Sequence, residues 1–279
     1  MPAKAIATSC SATWPRLMTR DALAGEFRRL GVRPGMAVMM HASLSGLGYL
    51  PNGPYDVIDA VLDVVGPGGT MLMPAHSGQL TDPADWQNPP VPAEWVGAIR
   101  AAMEPFDPER TPVRNRGLLA EYFLRMPGAR RSCHPLNSVA AFGARADYFT
   151  ANHPLDESEG IGSPCHKLYE TGGHVLLLGV GLEACSALHA AEFIADVPYL
   201  AETNIKVLVG RNEFRRLRKY PGSSEYFEKL RPTLYASGAL AERTLGPYRM
   251  TLLALAPAID AALARLEKDP DWLCKPGTE

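Results

Sequence analysis

His189 and Glu192 stand three residues apart in the segment SALHAAEFIADVP, and Asp196 follows one helical turn later. Helical residues three or four apart share a face, so this spacing sets an imidazole against a carboxylate and extends the stripe to Asp196. A carboxylate that accepts from one ring nitrogen fixes the tautomer and raises the basicity of the other, which is how general-base chemistry is arranged. On an exposed helix the same pair would be an ordinary surface contact. Position favours chemistry: the segment follows the apolar run HVLLLGVG, and open α/β sheets place their sites at strand C-termini.

Three further clusters carry polar or reactive groups. HASLSGLG, His41 to Gly48, closes another apolar run with small residues that let backbone N–H groups approach an anion. It lacks the Lys-Ser/Thr of a P-loop, so no nucleoside triphosphate is indicated. Arg131-Ser132-Cys133-His134 precedes the strand-like SVAAFG, and GSPCHKL spans Gly162 to Leu168. The turn Gly179-Val180-Gly181-Leu182-Glu183-Ala184 matches G-x-G-x-x-A. A dinucleotide site also needs a βαβ unit with an acidic residue at the end of the next strand, whereas Glu202 precedes that strand. These glycines are therefore read as shaping a strand-to-helix passage. Neither G-x-S-x-G nor H-E-x-x-H occurs, which removes support for a serine hydrolase of that type and for catalytic zinc.

Five widely spaced cysteines (Cys10, Cys133, Cys165, Cys185, Cys274) form no C-x-x-C pair and no even framework, so a reducing compartment and inert buried thiols are expected. Adjacent Cys133-His134 and Cys165-His166 diverge on a strand or a helix and are poorly built to share one ion. The net charge of -2 comes from interspersed acids and bases without a basic tract, which argues against nucleic acid. No run approaches the roughly 18 apolar residues of a membrane span, and MPAKAIATSC lacks the apolar core of a signal peptide. A cytoplasmic protein is the expectation.

These clusters must be positioned by an α/β framework. Thr19 caps a helix to Leu30 that Gly31 ends; MAVMMHASL reads as a strand, Pro54 to Val65 as a helix and TMLMPA as a strand, predicting a parallel pair with a crossover helix. Residues 76–116 are rich in proline, with one short helix at Trp95 to Met103, and read as a lid or substrate-loop insertion. Helices at Gly117 to Met126, Cys165 to Glu170 and Ser186 to Ile194 alternate with the strands SVAAFG, HVLLLGVG and IKVLVG. The charged remainder to about Lys268 reads as helical. The expected architecture is one domain over residues 1–279, with a central mixed, largely parallel sheet flanked by helices.

In order along the chain, HASLSGLG, GPGGTMLMP, GARRSCHPLNSVAAFG, GSPCHKL, HVLLLGVG and SALHAAEFIADVP resemble the aminoglycoside 3-N-acetyltransferase family over about residues 19 to 200. DPADWQNPPVPAEW is similar to the chromosomal branch in particular. The resemblance implies a single α/β domain distinct from the common acetyltransferase fold, acetyl-CoA as co-substrate, no metal, and a small-molecule amine as the other partner; a homodimer is left open. It implies His189 as the catalytic histidine and Glu192 as its partner. It places His41, Ala42, Ser43, Leu44, Gly48, Ser132, His134 and Ser163 along the coenzyme channel, and Asp82 and Glu159 at the acceptor site. Family members active on polycationic drugs carry further carboxylates after the IKVLVG strand; here RNEFRRLRKYPGSSEY is strongly basic, which points to a smaller amine.

The mechanism expected is direct attack in a ternary complex, with His189 taking the amine proton and backbone N–H groups near Ser43 or Gly181 holding the oxyanion. Two alternatives stand beside it. One is a thiol-dependent acyltransferase with Cys185 or Cys133 as nucleophile and His189 or His134 as base. The other is a CoA-binding protein with little transferase activity.

Overall fold

The computed structural model describes residues 16–114, 117–202, 204–219 and 224–275. Cys10 and the segment MPAKAIATSC lie outside the described residues. The strands are β1 (Ala37–Ala42), β2 (Thr70–Pro74), β3 (Arg130–Arg131), β4 (Val139–Gly143), β5 (His174–Leu178), β6 (Asn204–Gly210), β7 (Glu213–Arg218), β8 (Leu240–Leu245) and β9 (Tyr248–Ala254). The helices are α1 (Arg20–Leu30), α2 (Pro54–Val65), α3 (Val96–Ala102), α4 (Gly117–Leu124), α5 (Ala146–Thr150), α6 (Pro164–Glu170), α7 (Ala190–Ile194), α8 (Pro198–Glu202), α9 (Arg231–Ala236) and α10 (Leu255–Leu266).

Seven strands form one sheet in the order β3-β4-β2-β1-β5-β9-β8, and β6 and β7 make a separate hairpin. β1 runs parallel to β2 and β5; the other four pairings in the sheet are antiparallel. The sheet is thus mixed, as expected, but parallel only at its centre. Two of the antiparallel pairings come from β4, beside β2 and β3, and two from the region beyond β6, expected to be helical, which supplies β8 and β9 to the sheet and β7 to the separate hairpin. Short apolar runs such as MTLLALA do not reveal by periodicity whether they are strand or helix, and the Leu245-Gly246-Pro247-Tyr248 connection turns this one back as a hairpin.

Strand alternation divides the apolar side chains between two cores. Val38, Met40, Leu176 and Leu178 face α1, α2 and α4, while Met39, Val175 and Leu177 face α5, α6, α7 and α10. Local signals hold where the sequence carries them: Thr19 Oγ1 accepts from Ala22 N at 3.2 Å to cap α1, and Gly31 ends it at φ 120°. The insertion contains the expected short helix, α3, preceded by short 3₁₀ turns. It packs with the β6–β7 hairpin around a third, smaller core of Leu80, Leu136, Val207, Leu208 and Leu217. Asp82 N donates to Lys206 O at 2.8 Å, and Thr81 bridges Val207.

Candidate active site

β1 and β5 lie side by side, so the ends of HASLSGLG and HVLLLGVG meet at one edge of the sheet. Ser43 N donates to Leu178 O at 2.8 Å, and Tyr248 OH donates to Ser43 O at 2.7 Å, tying both strand ends to β9. Gly179 follows with φ 66°, and a Cβ there would lie 2.5 Å from the Tyr248 ring and 3.0 Å from Ser43 O. Only glycine fits that turn. Past it, Glu183 Oε1 accepts from Gly181 N at 2.9 Å and Glu228 Oε1 from Leu182 N at 2.8 Å. Because β6 belongs to the separate hairpin, β5–α7–β6 is not a βαβ unit, and the glycine pattern has no dinucleotide context.

The expected helix from Ser186 is a 3₁₀ turn, Ser186–His189, that becomes α7. His189 Nδ1 is hydrogen-bonded to Glu192 Oε2, and Tyr199 OH donates to Glu192 Oε1 at 2.6 Å. All three are buried. A carboxylate accepting at Nδ1 puts the ring proton there and leaves the lone pair on Nε2. The Phe227 ring meets the imidazole edge-on, 4.7 Å between centroids. Burial, then the Glu192 charge, pushes the Tyr199 phenol far above its ordinary range, so it stays a neutral donor. Asp196 does not continue the stripe: at φ 46° it ends the helix and pairs with Arg218 Nη1 at 2.6 Å.

His189 and Ser186 line a cleft of about 640 Å³ together with His41–Leu44, Gly117–Leu119, Val180 and Glu183. Residues 39–267 match the model of the aminoglycoside 3-N-acetyltransferase family. The chain belongs to that family. It is 33% identical to an SPbeta prophage-derived aminoglycoside N(3')-acetyltransferase-like protein, YokD, of Bacillus subtilis, over 90% of this chain and 93% of the relative. It is 35% identical to aminoglycoside N(3)-acetyltransferase VII of Streptomyces paromomycinus, over 90% and 92%. Among solved structures it is similar to YokD (TM-score 0.82, 31% identity, 94% of this chain and 97% of that one) and to AAC-IIIb in binary complex with CoASH (TM-score 0.76, 35%, 91% and 97%). The aminoglycoside 3-N-acetyltransferases are acyltransferases with acetyl-CoA as acetyl donor.

The family's expected channel residues separate into two groups here. His41, Ala42, Ser43 and Leu44 line the cleft with His189. Gly48 does not; at φ 130° it packs against Arg16 and Met18, where a Cβ would lie 2.6 Å from Arg16 Cγ. Ser163 is the cap of α6, accepting from His166 N at 3.1 Å. Ser132 and His134 belong to an interior network instead. His134 Nδ1 accepts from Leu136 N and Asn137 N at 3.1 and 2.9 Å, so its Nε2 is the donor to Leu155 O. His153 Nε2 donates to Ser158 O at 2.8 Å, Ser132 Oγ donates to His153 Nδ1 at 2.8 Å, and Val139 N donates to Ser132 Oγ at 2.8 Å. Burial lowers His134 to about 4 and His153 to about 3, so both rings are neutral at pH 7.

The expected acceptor acids are likewise engaged within the protein. Asp82 is buried and takes Arg100 through Nε and Nη2, at 2.9 and 2.8 Å, and Lys206 Nζ at 2.8 Å. Burial favours its neutral form, but hydrogen bonds from Lys206, Ala84 and Arg100 prevail and its carboxyl lies below the ordinary range. Glu159 is buried and accepts from Asn137 Nδ2 and Ser158 Oγ. The basic hairpin is matched by carboxylates: Arg215 by Asp156, and Arg218 by Glu157 and Asp196.

Of the cysteines, Cys185 is completely buried and burial pushes its thiol up to about 12, which withholds the thiolate a nucleophile requires. Cys133 is exposed, but both nitrogens of the neighbouring His134 are spent inside the network. No group of three or more His, Cys, Asp or Glu side chains suited to a metal occurs among the described residues, and no described helix is long and apolar enough to cross a membrane. Sequence reasoning missed Tyr199 and Ser186. Ser186 carries the same three-residue spacing from His189 that marks Glu192, whereas Tyr199 reaches Glu192 only because the chain reverses after Asp196.

Proposed function

We propose that this protein transfers acetyl from acetyl-CoA to an amine by direct attack, with His189 as the general base and Glu192 as its orienting carboxylate. The carrying observation is the Tyr199–Glu192–His189 chain ending at the cleft shared with His41–Leu44. The cleft fits the acyl end of a thioester: its volume lies within the usual span of small-molecule sites, its walls mix apolar and polar residues, and it holds an orphaned hydroxyl on Ser186. His41–Leu44 and Gly117–Leu119 would hold the ligand.

An ammonium has no lone pair, so the acceptor must lose a proton before or during attack. The Nδ1 contact with Glu192 stabilises the imidazolium formed when Nε2 takes that proton, and Tyr199 keeps the carboxylate from turning away. The cleft supplies proximity by fixing the amine against the carbonyl.

The acceptor is an amine of an aminoglycoside or a related small molecule, and the ion pairs favour the less cationic end of that class. A polycation needs several carboxylates for its desolvated ammonium groups. Asp82, Asp156 and Glu157 already hold Arg100, Lys206, Arg215 and Arg218. An amine panel with acetyl-CoA, read by free-thiol release, tests this: small amines should exceed gentamicin in kcat/KM. Gentamicin turnover at or above the order of 10⁴ M⁻¹s⁻¹ would overturn the acceptor preference, and binding of CoA without thiol release from any amine would replace transfer by a binding role.

A further inference from the structure

Ser186 opens the 3₁₀ turn that His189 closes. Residues i and i+3 eclipse in that geometry, so Ser186 lies on the same face as the imidazole, and both line the cleft. The residue is only 7% exposed, and its Oγ has no hydrogen-bond partner. A hydroxyl sheltered from water and left unmatched is destabilising, and native proteins retain few of them. The nearby backbone donors expected to hold an oxyanion are meanwhile committed: Ser43 N to Leu178 O and Gly181 N to Glu183 Oε1.

Building on the acetyl-transfer reading, we propose that Ser186 is a catalytic residue whose hydroxyl donates a hydrogen bond to the acyl carbonyl oxygen as negative charge develops there. Rotation about one side-chain bond turns Oγ toward the cleft. As the amine nitrogen bonds to the carbonyl carbon, the C=O electron pair moves onto oxygen, and the Ser186 proton stays on Oγ. When that pair returns, the carbon–sulfur bond breaks, and the departing thiolate takes the proton that His189 removed from the amine. Ser186 is neither nucleophile nor base.

The test compares the unmodified protein, Ser186→Ala and Ser186→Thr, using acetyl-CoA and the best amine of the panel with thiol release as readout, alongside thermal unfolding. Ser186→Ala should lower kcat about 10- to 100-fold, with KM for acetyl-CoA within about twofold, as expected for one lost donor to developing charge. The pH midpoint of kcat/KM should not move, because Ser186 is not the proton acceptor. Tm should be equal or higher, since the deleted hydroxyl bonds nothing in the protein. Ser186→Thr keeps the hydroxyl and should stay within about fivefold of the unmodified kcat. A kcat within twofold in Ser186→Ala overturns the role, as does an equal loss in both variants with a lowered Tm. Absence of thiol release from the unmodified protein overturns the acetyl-transfer reading before Ser186 is reached, so the two failures are distinct.

Discussion

The protein contains two buried histidine networks that look alike by residue type and differ in what they leave unspent. Around His134 and His153, every ring nitrogen has a partner, three of the four being supplied by backbone groups and the fourth by Ser132 Oγ, and burial is the main cause that holds both rings neutral. Around His189, Glu192 holds Nδ1, and the hydroxyl of Ser186, at the start of the same 3₁₀ turn, has no hydrogen-bond partner. The first network closes over itself within the fold; the second opens on a 640 Å³ cleft. A polar cluster whose bonding capacity is spent holds loops together, whereas one with capacity left over at a cavity is equipped for a ligand.

Replacing one histidine from each network should separate these roles most sharply. His189→Ala should reduce kcat by roughly 100-fold or more while leaving CoA affinity nearly unchanged, as measured by thiol release and calorimetry. His153→Ala should instead lower stability through its orphaned partners, seen as a reduced denaturation midpoint. Near-normal turnover in His189→Ala would erase the distinction.

Acid should strike the saturated network. Both rings have folded-state values below the unfolded one, so between pH 6.5 and about 4 the unfolded chain binds more protons than the native protein. Stability therefore falls as pH drops through that window. Denaturant titrations at pH 7 and pH 4.5 should show the loss, and the difference should shrink in His153→Gln.

Smaller effects refine the open network. Tyr199→Phe removes the donor to Glu192 Oε1 and should lower kcat roughly 3- to 10-fold, in keeping with loss of an orienting outer contact rather than of the base. The smallest effect belongs to the thiol: Cys185→Ala should retain kcat within about twofold, and iodoacetamide should alkylate the exposed Cys133 without inactivating the enzyme. Fast inactivation prevented by acetyl-CoA would restore the thiol mechanism.

The sequence by itself determined whatever is encoded over a few residues. The cap at Thr19, the stop at Gly31, the β1 and β5 runs, the glycine turn before Leu182 and the His189–Glu192 spacing are all local, because backbone sterics and helical period act over one or two turns. Ordered motifs also disclosed the family. Tertiary structure alone decided which polar residues share a space. It joined Ser132 and His134 in a network with His153, made Ser163 the cap of α6, gave Asp82 to Arg100 and Lys206, and brought Tyr199 back onto Glu192. It also turned the charged C-terminal region into β7, β8 and β9, because strand pairing and charge compensation depend on partners far off in sequence. A side chain's hydrogen-bonding capacity is written in its residue type, but whether that capacity is spent depends on neighbours that only the folded chain assembles.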